Sequence, residues 1–416
     1  MKKVVVIGGG VVGLTTAWTL LGRGHAVRLV EREPEVASGA SFANGGQLSY
    51  RYVSPLADAG VPVKALRWLL DIDGPLRFKP EARLQQWSWL ARFLWACRGS
   101  VNRRTTQRLL ELGAYSQRAF AALGNSAGLG GYELRTPGKL VIYRKPIEFA
   151  RAAARSGTGV GAERALGMAE CIALEPALAG LGRALAGGIY TPGEAVADCR
   201  LFCEQLAQRI EAHPGFGGFV RANAQGFVLD RGQAVALRSN VGDIEGSDFI
   251  IAAGLHSRTL AQTVGLSLPI YPLKGYSLSA PIGPQHRAPE VSVTDFEKKV
   301  LYARIGQQLR VAAMVDLVGE DTRIDPQRID SLLRSVRATM PEAADYDRAE
   351  PWAGLRPATP DGAPIVGATP VPGLWLNAGH GALGFTFAAG TAGIVAALVS
   401  GEVAPMPLDG LSLAPA

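Results

Sequence analysis

Hydrophobic residues at the start of the chain form a strand, turn and helix pattern. Residues 4–7 are a β-branched run, which is typical of a parallel strand buried on both faces. Three glycines at 8–10 turn the chain, and apolar residues then recur at helical spacing until further glycines end the helix. A second strand at 26–30 leads to Glu31. This order needs a right-handed crossover, so we predict a parallel sheet.

Later stretches extend this pattern. Residues 247–254 predict a buried strand that ends at Gly254, and 373–401 predict a strand, a glycine-rich turn and a long apolar helix. Between them, 130–145, 271–282 and 298–314 alternate in polarity as strands of an antiparallel sheet do.

The wide spacing of these units predicts a discontinuous nucleotide-binding domain and a substrate domain. We assign 1–48, 186–262 and 345–405 to the first domain. The second comprises 49–185 and 263–344. The predicted fold class is α/β, with a Rossmann-like domain on a parallel sheet and an α+β substrate domain on an antiparallel sheet.

Composition narrows the class of protein. The 416 residues are 48% hydrophobic and 19% charged, with 51 Gly and 26 Pro, which favours a turn-rich globular protein over a disordered one. The formal charge of +7 favours anionic ligands or a lipid surface. Nucleic-acid-binding signatures are absent, so no nucleic-acid partner is expected.

The four cysteines form no Cys-x-x-Cys pair, so neither a disulfide framework nor a metal site is predicted. Buried free thiols in a reducing, cytoplasmic compartment are expected. The basic start and apolar run resemble an export signal, but the glycines interrupt the run after four residues. Since no other run approaches the roughly 20 residues of a membrane span, a soluble or peripheral protein is expected.

The first glycine motif indicates a dinucleotide site. Gly8-x-Gly10-x-x-Gly13 sits between strand and helix, where it closes a tight turn and places a helix N-terminus against a pyrophosphate. Glu31, followed by Arg32, lies where an acid accepts hydrogen bonds from a ribose. That acid would repel the phosphate of NADP, while NAD and FAD both remain open at this point.

The segment SGASFANGGQ at 38–47 resembles the FAD-binding signature of the D-amino-acid oxidase-like superfamily. In that signature a Ser or Thr, and an Asn three residues later, contact the cofactor. Ser41 and Asn44 match those positions, with Gly45 next to them. The resemblance implies that FAD is the cofactor.

The segment WAGLRPATPDGAPIVG at 352–367 presents one arginine between prolines. Pro357 holds Arg356 in extended backbone, and a guanidinium grips a carboxylate through two parallel hydrogen bonds. On residue chemistry alone, an internal acid is the more usual partner of an arginine. In amino-acid-oxidising relatives the arginine of a similar G-L-R-P stretch holds the substrate carboxylate, and the resemblance implies this role.

The segment NAGHGALGFT at 377–386 begins the last helix. Its positive end would stabilise charge on a reduced flavin, and Gly379, Gly381 and Gly384 permit close approach to a flat ring. His380 is a candidate catalytic residue, although packing is the more usual role of a lone histidine.

Together, these motifs occur in the order found in bacterial FAD-dependent D-amino acid dehydrogenase small subunits. The chain departs from that pattern at Glu31, where aspartate is frequent, in a shortened 150–165 region and in a brief C-terminal tail. The resemblance implies oxidative deamination of D-amino acids to 2-oxo acids, with hydride passing from Cα to flavin N5. Tyr276 and Tyr302 are candidate hydroxyls on the substrate side, with sheet packing as the alternative.

Three alternatives stay open. In the first, the enzyme is specific for D-proline or 4-hydroxy-D-proline. In the second, it is an oxidase that passes the electrons to oxygen. In the third, the chain is a non-catalytic FAD-binding subunit. For a dehydrogenase, the resemblance implies a respiratory acceptor such as a quinone or carrier. Residues 84–98 are apolar almost all round, which favours a buried helix over a membrane-docking surface. Peripheral contact with the cytoplasmic face of the inner membrane remains the second interpretation.

Overall fold

The computed structural model describes residues 1–62, 65, 68, 71, 74–157 and 162–413. Residues 60–70, GVPVKALRWLL, are a further part of the family resemblance, and they and the 150–165 region lie partly outside the described residues. The fold has two large sheets with helices packed against them. The strands are β1 (Lys3–Ile7), β2 (Ala26–Glu31), β3 (Gln47–Leu48), β4 (Leu76–Phe78), β5 (Lys139–Tyr143), β6 (Arg164–Gly167), β7 (Gly187–Thr191), β8 (Ala195–Val196), β9 (Phe216–Arg221), β10 (Ala224–Asp230), β11 (Gln233–Ser239), β12 (Gly242–Glu245), β13 (Asp248–Ile251), β14 (Tyr271–Pro281), β15 (Ser292–Asp295), β16 (Val300–Ile305), β17 (Gln308–Leu317), β18 (Glu350–Ala358), β19 (Ile365–Ala368) and β20 (Leu374–Ala378).

The helices of the described chain cover both faces of the first sheet and the outside of the second. They are α1 (Val11–Leu21), α2 (Leu84–Ala96), α3 (Gly99–Ala127), α4 (Pro146–Ala153), α5 (Met168–Leu174), α6 (Cys199–Glu211), α7 (His256–Gln262), α8 (Pro326–Thr339) and α9 (Gly384–Val399). Short 3-10 turns lie at Pro176–Ala184, Tyr346–Arg348 and Gly381–Leu383.

The first sheet has the strand order β19-β20-β13-β1-β2-β9 and is parallel except for the β19–β20 pair. The β-branched run of β1 is central and buried on both faces, as the sequence predicts. One face packs on α1 and α9, and the other on the three-stranded sheet β10-β11-β12. The predicted parallel sheet is confirmed.

The second sheet has the order β18-β14-β17-β16-β15-β5-β7-β6, with β4 added beside β17. Its pairings are antiparallel except for β15 with β5 and β17 with β4. The predicted antiparallel sheet is therefore present in a mixed form.

The sheets differ in three places from the predicted domain boundaries. Strands β7 and β18 belong to the second sheet, although 186–262 and 345–405 were assigned to the nucleotide-binding domain. Helix α3, assigned to the substrate domain, packs on α9 within the core of the first domain. Close packing explains why α3 belongs to this core. A Cβ at Gly390 of α9 would lie 2.8 Å from the Cβ of Ser116 in α3, and the Gly390 amide donates a hydrogen bond to the Ser116 Oγ at 3.0 Å.

The last helix corrects one sequence expectation. Residues Gly381–Val399 are long and apolar enough to cross a membrane, with a mean hydropathy of 1.9, but 78% of that window is buried inside the protein. Burial between α1 and α3 accounts for its all-round apolarity. The four cysteines are free and buried, as expected.

Helix α2 is more exposed than the sequence predicts. Trp89 is buried against Tyr271, but Trp87 is 48% exposed and Trp95 is 54% exposed. The buried residues of the helix are Gln86, Trp89 and Ala96, so only one side of it packs against the protein. The prediction of a fully buried core helix is wrong for this segment.

Candidate active site

A cavity of about 1880 Å³ lies between the two sheets. Its wall includes the first glycine turn, Glu31, the 37–49 loop, the glycines at the start of α9, and parts of β14, β17 and β18. Pockets for small ligands measure roughly 300–1,000 Å³. The cavity therefore has room for a dinucleotide together with a small substrate.

At one end, the glycine turn and the end of β2 form the adenosine side. Gly8 has a φ of +114°, and a Cβ at Gly13 would overlap the carbonyl oxygen of Gly8. Glu31 accepts hydrogen bonds from the amides of Gly9 at 2.5 Å and Glu33 at 2.9 Å, which fix its carboxylate at the wall. Arg32 is exposed beside it and pairs with Glu33 at 3.3 Å.

Gly10 is the N-cap of α1 and offers no side chain, so the end of the helix opens to the cavity. No acidic residue lies in the first turn of the helix. The positive helix end is consequently available to an anionic group, as a pyrophosphate site requires.

The 38–47 loop crosses from the first sheet to the second. The Ser41 Oγ accepts a hydrogen bond from the Val11 amide at 3.1 Å, which ties the loop to α1. Asn44 turns the chain by accepting from the Gly46 amide at 3.0 Å, and Gly45 packs its backbone against Leu301 of β16. These residues line the cavity, so the predicted cofactor residues are brought to one wall.

The glycine-rich start of α9 forms another part of the wall. Gly379 and Gly381 have φ values of +79° and +54°, and both line the cavity together with Gly384. The predicted cofactor residue Gly254, with a φ of +57°, reaches the same cavity from the end of β13. Left-handed backbone at these positions explains the glycines.

His380 is held inside this wall. Its Nε2 lies 3.0 Å from the Oγ1 of Thr391, a residue of α9, in a buried contact. Burial lowers the pKa of His380 to about 3. The imidazole is therefore neutral. The geometry gives His380 a contact to the helix that carries the glycines, and its catalytic role stays a prediction.

Arg356 projects from β18 at the cavity wall. Its Nη1 donates to the Met314 carbonyl at 3.0 Å, and among the described residues it forms no ion pair. Burial lowers its pKa to about 10, against the opposing effect of Asp316, so the guanidinium stays cationic at neutral pH. A cation without a bound carboxylate, on the wall of a cavity, is a binding point for an anionic ligand.

Two residues that the sequence analysis did not single out hold this arginine. Met314 has a φ of +67° at a register shift between β14 and β17, which turns its carbonyl towards Arg356. Gly275 lies in the middle of β14, and a Cβ there would overlap the guanidinium. The Lys-Gly pair at 274–275 is thus part of a strand. Only the pairing of three distant strands reveals this requirement for glycine.

Tyr276 on β14 belongs both to the wall of the cavity and to the core of the second sheet. Its hydroxyl donates to Asp316 Oδ2 at 3.3 Å, and Asp316 accepts from Arg328 at 2.6 Å in a pair that is 1% exposed on each side. Burial raises the pKa of Tyr276. Because Asp316 is already paired with Arg328, the guanidinium of Arg356 is left to bind an anionic ligand.

Tyr302 is fully buried on β16 within the same core cluster. Burial raises its pKa, and its hydroxyl has no hydrogen-bond partner among the described residues. The side chain lies away from the cavity, where the neighbouring Leu301 is part of the wall. The structure does not bring Tyr302 to the other candidate residues.

The donor set of the cavity fits FAD. An acid stands at the end of β2, an open helix end faces the phosphate region, and a second helix end with three glycines suits a flat ring. A match to the family model described as FAD dependent oxidoreductase covers residues 3–398.

The chain belongs to this family of FAD-dependent oxidoreductases.

Named relatives agree with this assignment. The oxidoreductase is 48% identical to D-amino acid dehydrogenase 2 of Pseudomonas aeruginosa over 416 residues, covering all of this chain and 98% of that protein. It is 45% identical to D-amino acid dehydrogenase 2 of Ralstonia nicotianae over 410 residues, with 96% of each chain covered. Its fold is similar to that of glycine oxidase from Geobacillus kaustophilus, with a TM-score of 0.77 at 23% identity and full coverage of both chains.

FAD is therefore the cofactor of this oxidoreductase, as the glycine motif and the 38–47 loop together imply. The residues that would hold it are the predicted ones: Gly8, Gly10, Gly13, Glu31, Arg32, Ser41, Asn44, Gly45, Gly254, Gly379, Gly381 and Gly384. When bound, FAD supplies a two-electron acceptor for a substrate C–H bond.

Proposed function

We propose that this oxidoreductase deaminates D-amino acids oxidatively to 2-oxo acids and passes the electrons to a respiratory acceptor. The observation that carries the proposal is the cationic guanidinium of Arg356 on the wall of the cofactor cavity, which forms no ion pair within the described part of the chain. A small anionic substrate, held by its carboxylate, fits both this charge and the remaining room.

The residues of the chain orient the substrate. Arg356 binds the carboxylate, and the Met314 carbonyl and Gly275 set the position of its guanidinium. The positive end of α9 favours negative charge at the ring end of the cavity. Catalysis then rests mainly on positioning, since the substrate amine becomes neutral by losing one proton.

The names of the relatives support D-amino acids as the substrate class. The test is anaerobic mixing of the purified yellow protein with a panel of D- and L-amino acids, followed by flavin absorbance. We expect bleaching by D-amino acids only, and no peroxide when the enzyme turns over in air. Bleaching by D-proline or 4-hydroxy-D-proline alone would narrow the substrate, peroxide would indicate an oxidase, and no bleaching would favour a non-catalytic subunit.

We further propose that α2 docks the enzyme on the anionic surface of the inner membrane, from the cytoplasmic side. Leu84, Trp87, Leu94 and Trp95 are exposed on this helix at helical spacing, with exposed fractions from 48% to 88%. The exposed arginines of this segment are Arg83, Arg92 and Arg98, and α2 itself contains no acidic residue. An apolar stripe with flanking cations suits an anionic lipid surface.

The cavity opens beside this stripe, since Trp87, Ala91 and Leu94 also line it. Docking through α2 would therefore hold the cofactor cavity against the membrane, where quinones reside. This arrangement supports a membrane-borne acceptor.

The combined Trp87→Ser and Trp95→Ser variant is expected to bind anionic vesicles at least about tenfold more weakly, because apolar burial contributes roughly 25 cal/mol per Å². Sedimentation with vesicles of phosphatidylethanolamine and phosphatidylglycerol measures the bound fraction. Val241→Ser is the matched control, because Val241 is 61% exposed on a remote turn. Equal sedimentation of the double variant and the wild type would contradict the role of α2.

A further inference from the structure

Lys139 is a buried titratable residue in the wall of the cavity. It stands at the start of β5 and is 2% exposed. Arg356 lies on the edge strand β18, five strands away in the same sheet. No sequence motif contains Lys139, so its place in the site follows only from strand pairing.

The amino group of Lys139 contacts the segment that continues the cofactor loop. Its Nζ donates to Gln47 Oε1 at 2.7 Å and to Ser49 Oγ at 3.1 Å, and lies 4.2 Å from the ring centroid of Tyr52. Gln47, Ser49 and Tyr52 all line the cavity. Lys139 thus fixes the part of the loop that faces the ligand.

The same segment is tied to the start of α9. The Ser49 amide donates to Thr386 Oγ1 at 3.2 Å, and this hydroxyl donates to the Gln47 carbonyl at 3.4 Å. Thr386 lies in the first turn of α9, beside the glycines that suit the flavin ring. Two hydrogen bonds, from Lys139 to Ser49 and from Ser49 to Thr386, therefore connect the amino group of Lys139 with the ring end of the cofactor site.

An unpartnered polar atom lies on the same stretch of wall. Thr294 on β15 is 8% exposed, lines the cavity, and its Oγ1 has no hydrogen-bond partner among the described residues. Ser292, the residue of β15 opposite Lys139, accepts a hydrogen bond from the Gln47 amide group. A buried orphan hydroxyl indicates that this wall faces a polar ligand.

Glu194 is the acid that acts on Lys139. It is buried on the turn between β7 and β8, and it accepts from the Arg51 amide at 2.9 Å. No ion pair joins Glu194 to Lys139 among the described residues, and Glu194 Oε2 has no hydrogen-bond partner there. Burial lowers the pKa of Lys139 to about 7 despite the opposing charge of Glu194. Burial also raises the pKa of Glu194.

The surrounding elements contribute few other charges. Thr191 of β7 and Ser292 of β15, the residues opposite Lys139, are neutral. The titratable and charged groups on the packed elements are Glu194 on the β7–β8 turn, Tyr190 on β7, Asp295 on β15, Arg51 and Tyr52 on the loop after β3, Tyr143 on β5, and Glu148 and Arg151 on α4. Among these, Glu194 is the group that raises the pKa of Lys139.

We infer that Lys139 takes up the proton that the substrate ammonium group releases when the cofactor is reduced, and so balances the negative charge gained by the flavin. The inference rests on the proposed function for the source of that proton. The position of Lys139 beside the cofactor loop, with one buried acid near it, allows it to change its charge without leaving its contacts.

The step balances in atoms and electrons. An amino acid zwitterion loses one hydride from Cα and one proton from nitrogen, and leaves as a protonated imino acid. The hydride goes to the cofactor and the proton to the neutral amine of Lys139, which becomes an ammonium. When the acceptor withdraws two electrons, both hydrogens are released as protons.

The test is the midpoint potential of the holoenzyme between pH 7.5 and 9.5, with dithionite as reductant and no amino acid. Each proton coupled to a two-electron couple adds about 30 mV per pH unit to the slope. We expect about 60 mV per pH unit for the wild type and about 30 mV for Lys139→Met. Lys274→Met is the matched control, because Lys274 is buried in the same sheet but outside the cavity wall, and it should keep the wild-type slope.

Equal slopes for Lys139→Met and the wild type would overturn the inference. Because dithionite replaces the substrate, this result does not depend on whether D-amino acids reduce the enzyme. Failure of the amino acid panel and failure of the proton coupling are therefore distinguishable.

Thermal unfolding of the apoprotein gives a second measurement. The folded pKa of Lys139 is lowered, so its burial destabilises the fold fully below pH 7 and progressively less as the pH rises towards the unfolded value of 10.5. The Tm of the wild type should therefore rise relative to that of Lys139→Met between pH 7 and 10. A constant difference would contradict a titrating Lys139.

Glu194→Gln serves if Lys139→Met does not fold. Removing this carboxylate removes the charge that favours protonated Lys139, so the steep range of the potential should extend to lower pH. An unchanged pH range in this variant would equally overturn the inference.

Discussion

Replacing Arg356 by alanine is expected to lower kcat/KM for D-amino acids about a thousandfold while the protein remains yellow. Removing one partner of a desolvated charge pair costs about 4 kcal/mol, and each 1.36 kcal/mol is a factor of ten. The cofactor loops do not depend on this side chain, whose hydrogen bond goes to the Met314 carbonyl. Anaerobic stopped-flow reduction of the flavin measures the effect.

Two companion variants separate charge from geometry. Arg356→Lys keeps the charge but loses the planar fork, so we expect an intermediate loss. Gly275→Ala leaves Arg356 in place in the sequence but puts a methyl group where its guanidinium lies, and should also reduce the rate. Normal bleaching of Arg356→Ala by D-amino acids would show that another group binds the carboxylate.

Gly13→Ala is expected to yield a protein without bound FAD. The added methyl group would overlap the carbonyl oxygen of Gly8, which forces α1 away from the first turn and distorts the phosphate site. Overpacking of this kind costs roughly 1–3 kcal/mol, so the free energy of unfolding should fall as well. The flavin-to-protein absorbance ratio after purification measures the loss.

Gly22→Ala is the matched control at the other end of the same helix. Gly22 has a φ of −63°, and a Cβ there would meet its nearest neighbours at 3.6 Å, an ordinary contact. This variant should bind FAD as the wild type does. If Gly13→Ala also retained stoichiometric FAD, the close approach of helix and strand would not be a requirement for binding.

The two results together would locate binding and chemistry at opposite ends of the cavity. Loss of FAD in Gly13→Ala would assign cofactor binding to the glycine turn at 8–13. Loss of rate with FAD retained in Arg356→Ala would assign substrate binding to Arg356. The cofactor spans the distance between them, so a defect at one end does not imply a defect at the other.

Local patterns determined a large part of the site. Gly8 to Gly13, Glu31 and the loop around Ser41 form the cofactor wall that the sequence predicts, because glycine spacing and strand ends are set by neighbours in the chain. The parallel sheet follows for the same reason. The sequence also identified the motif around Arg356, but not the contacts of its guanidinium with Met314 and Gly275.

Tertiary structure decided which side chains face the cavity. Tyr302 reads as a polar group near the substrate, yet strand register directs it into the core of the second sheet. Tyr276 lines the cavity, but its hydroxyl donates to Asp316 in that core. The same register brings Gly275 and Met314 to Arg356. A shift of one residue in a strand reverses every side chain, and register depends on partners far away in sequence.

The sequence by itself determined the fold class, the cofactor turn and the arginine motif, since each depends on contiguous residues. Only the folded chain placed Lys139 beside Gln47 and Ser49, some 90 residues earlier, and left Trp87 and Trp95 exposed. Burial and charge pairing arise between segments that meet only in three dimensions. Those two quantities set both the pKa of Lys139 and the surface offered by α2.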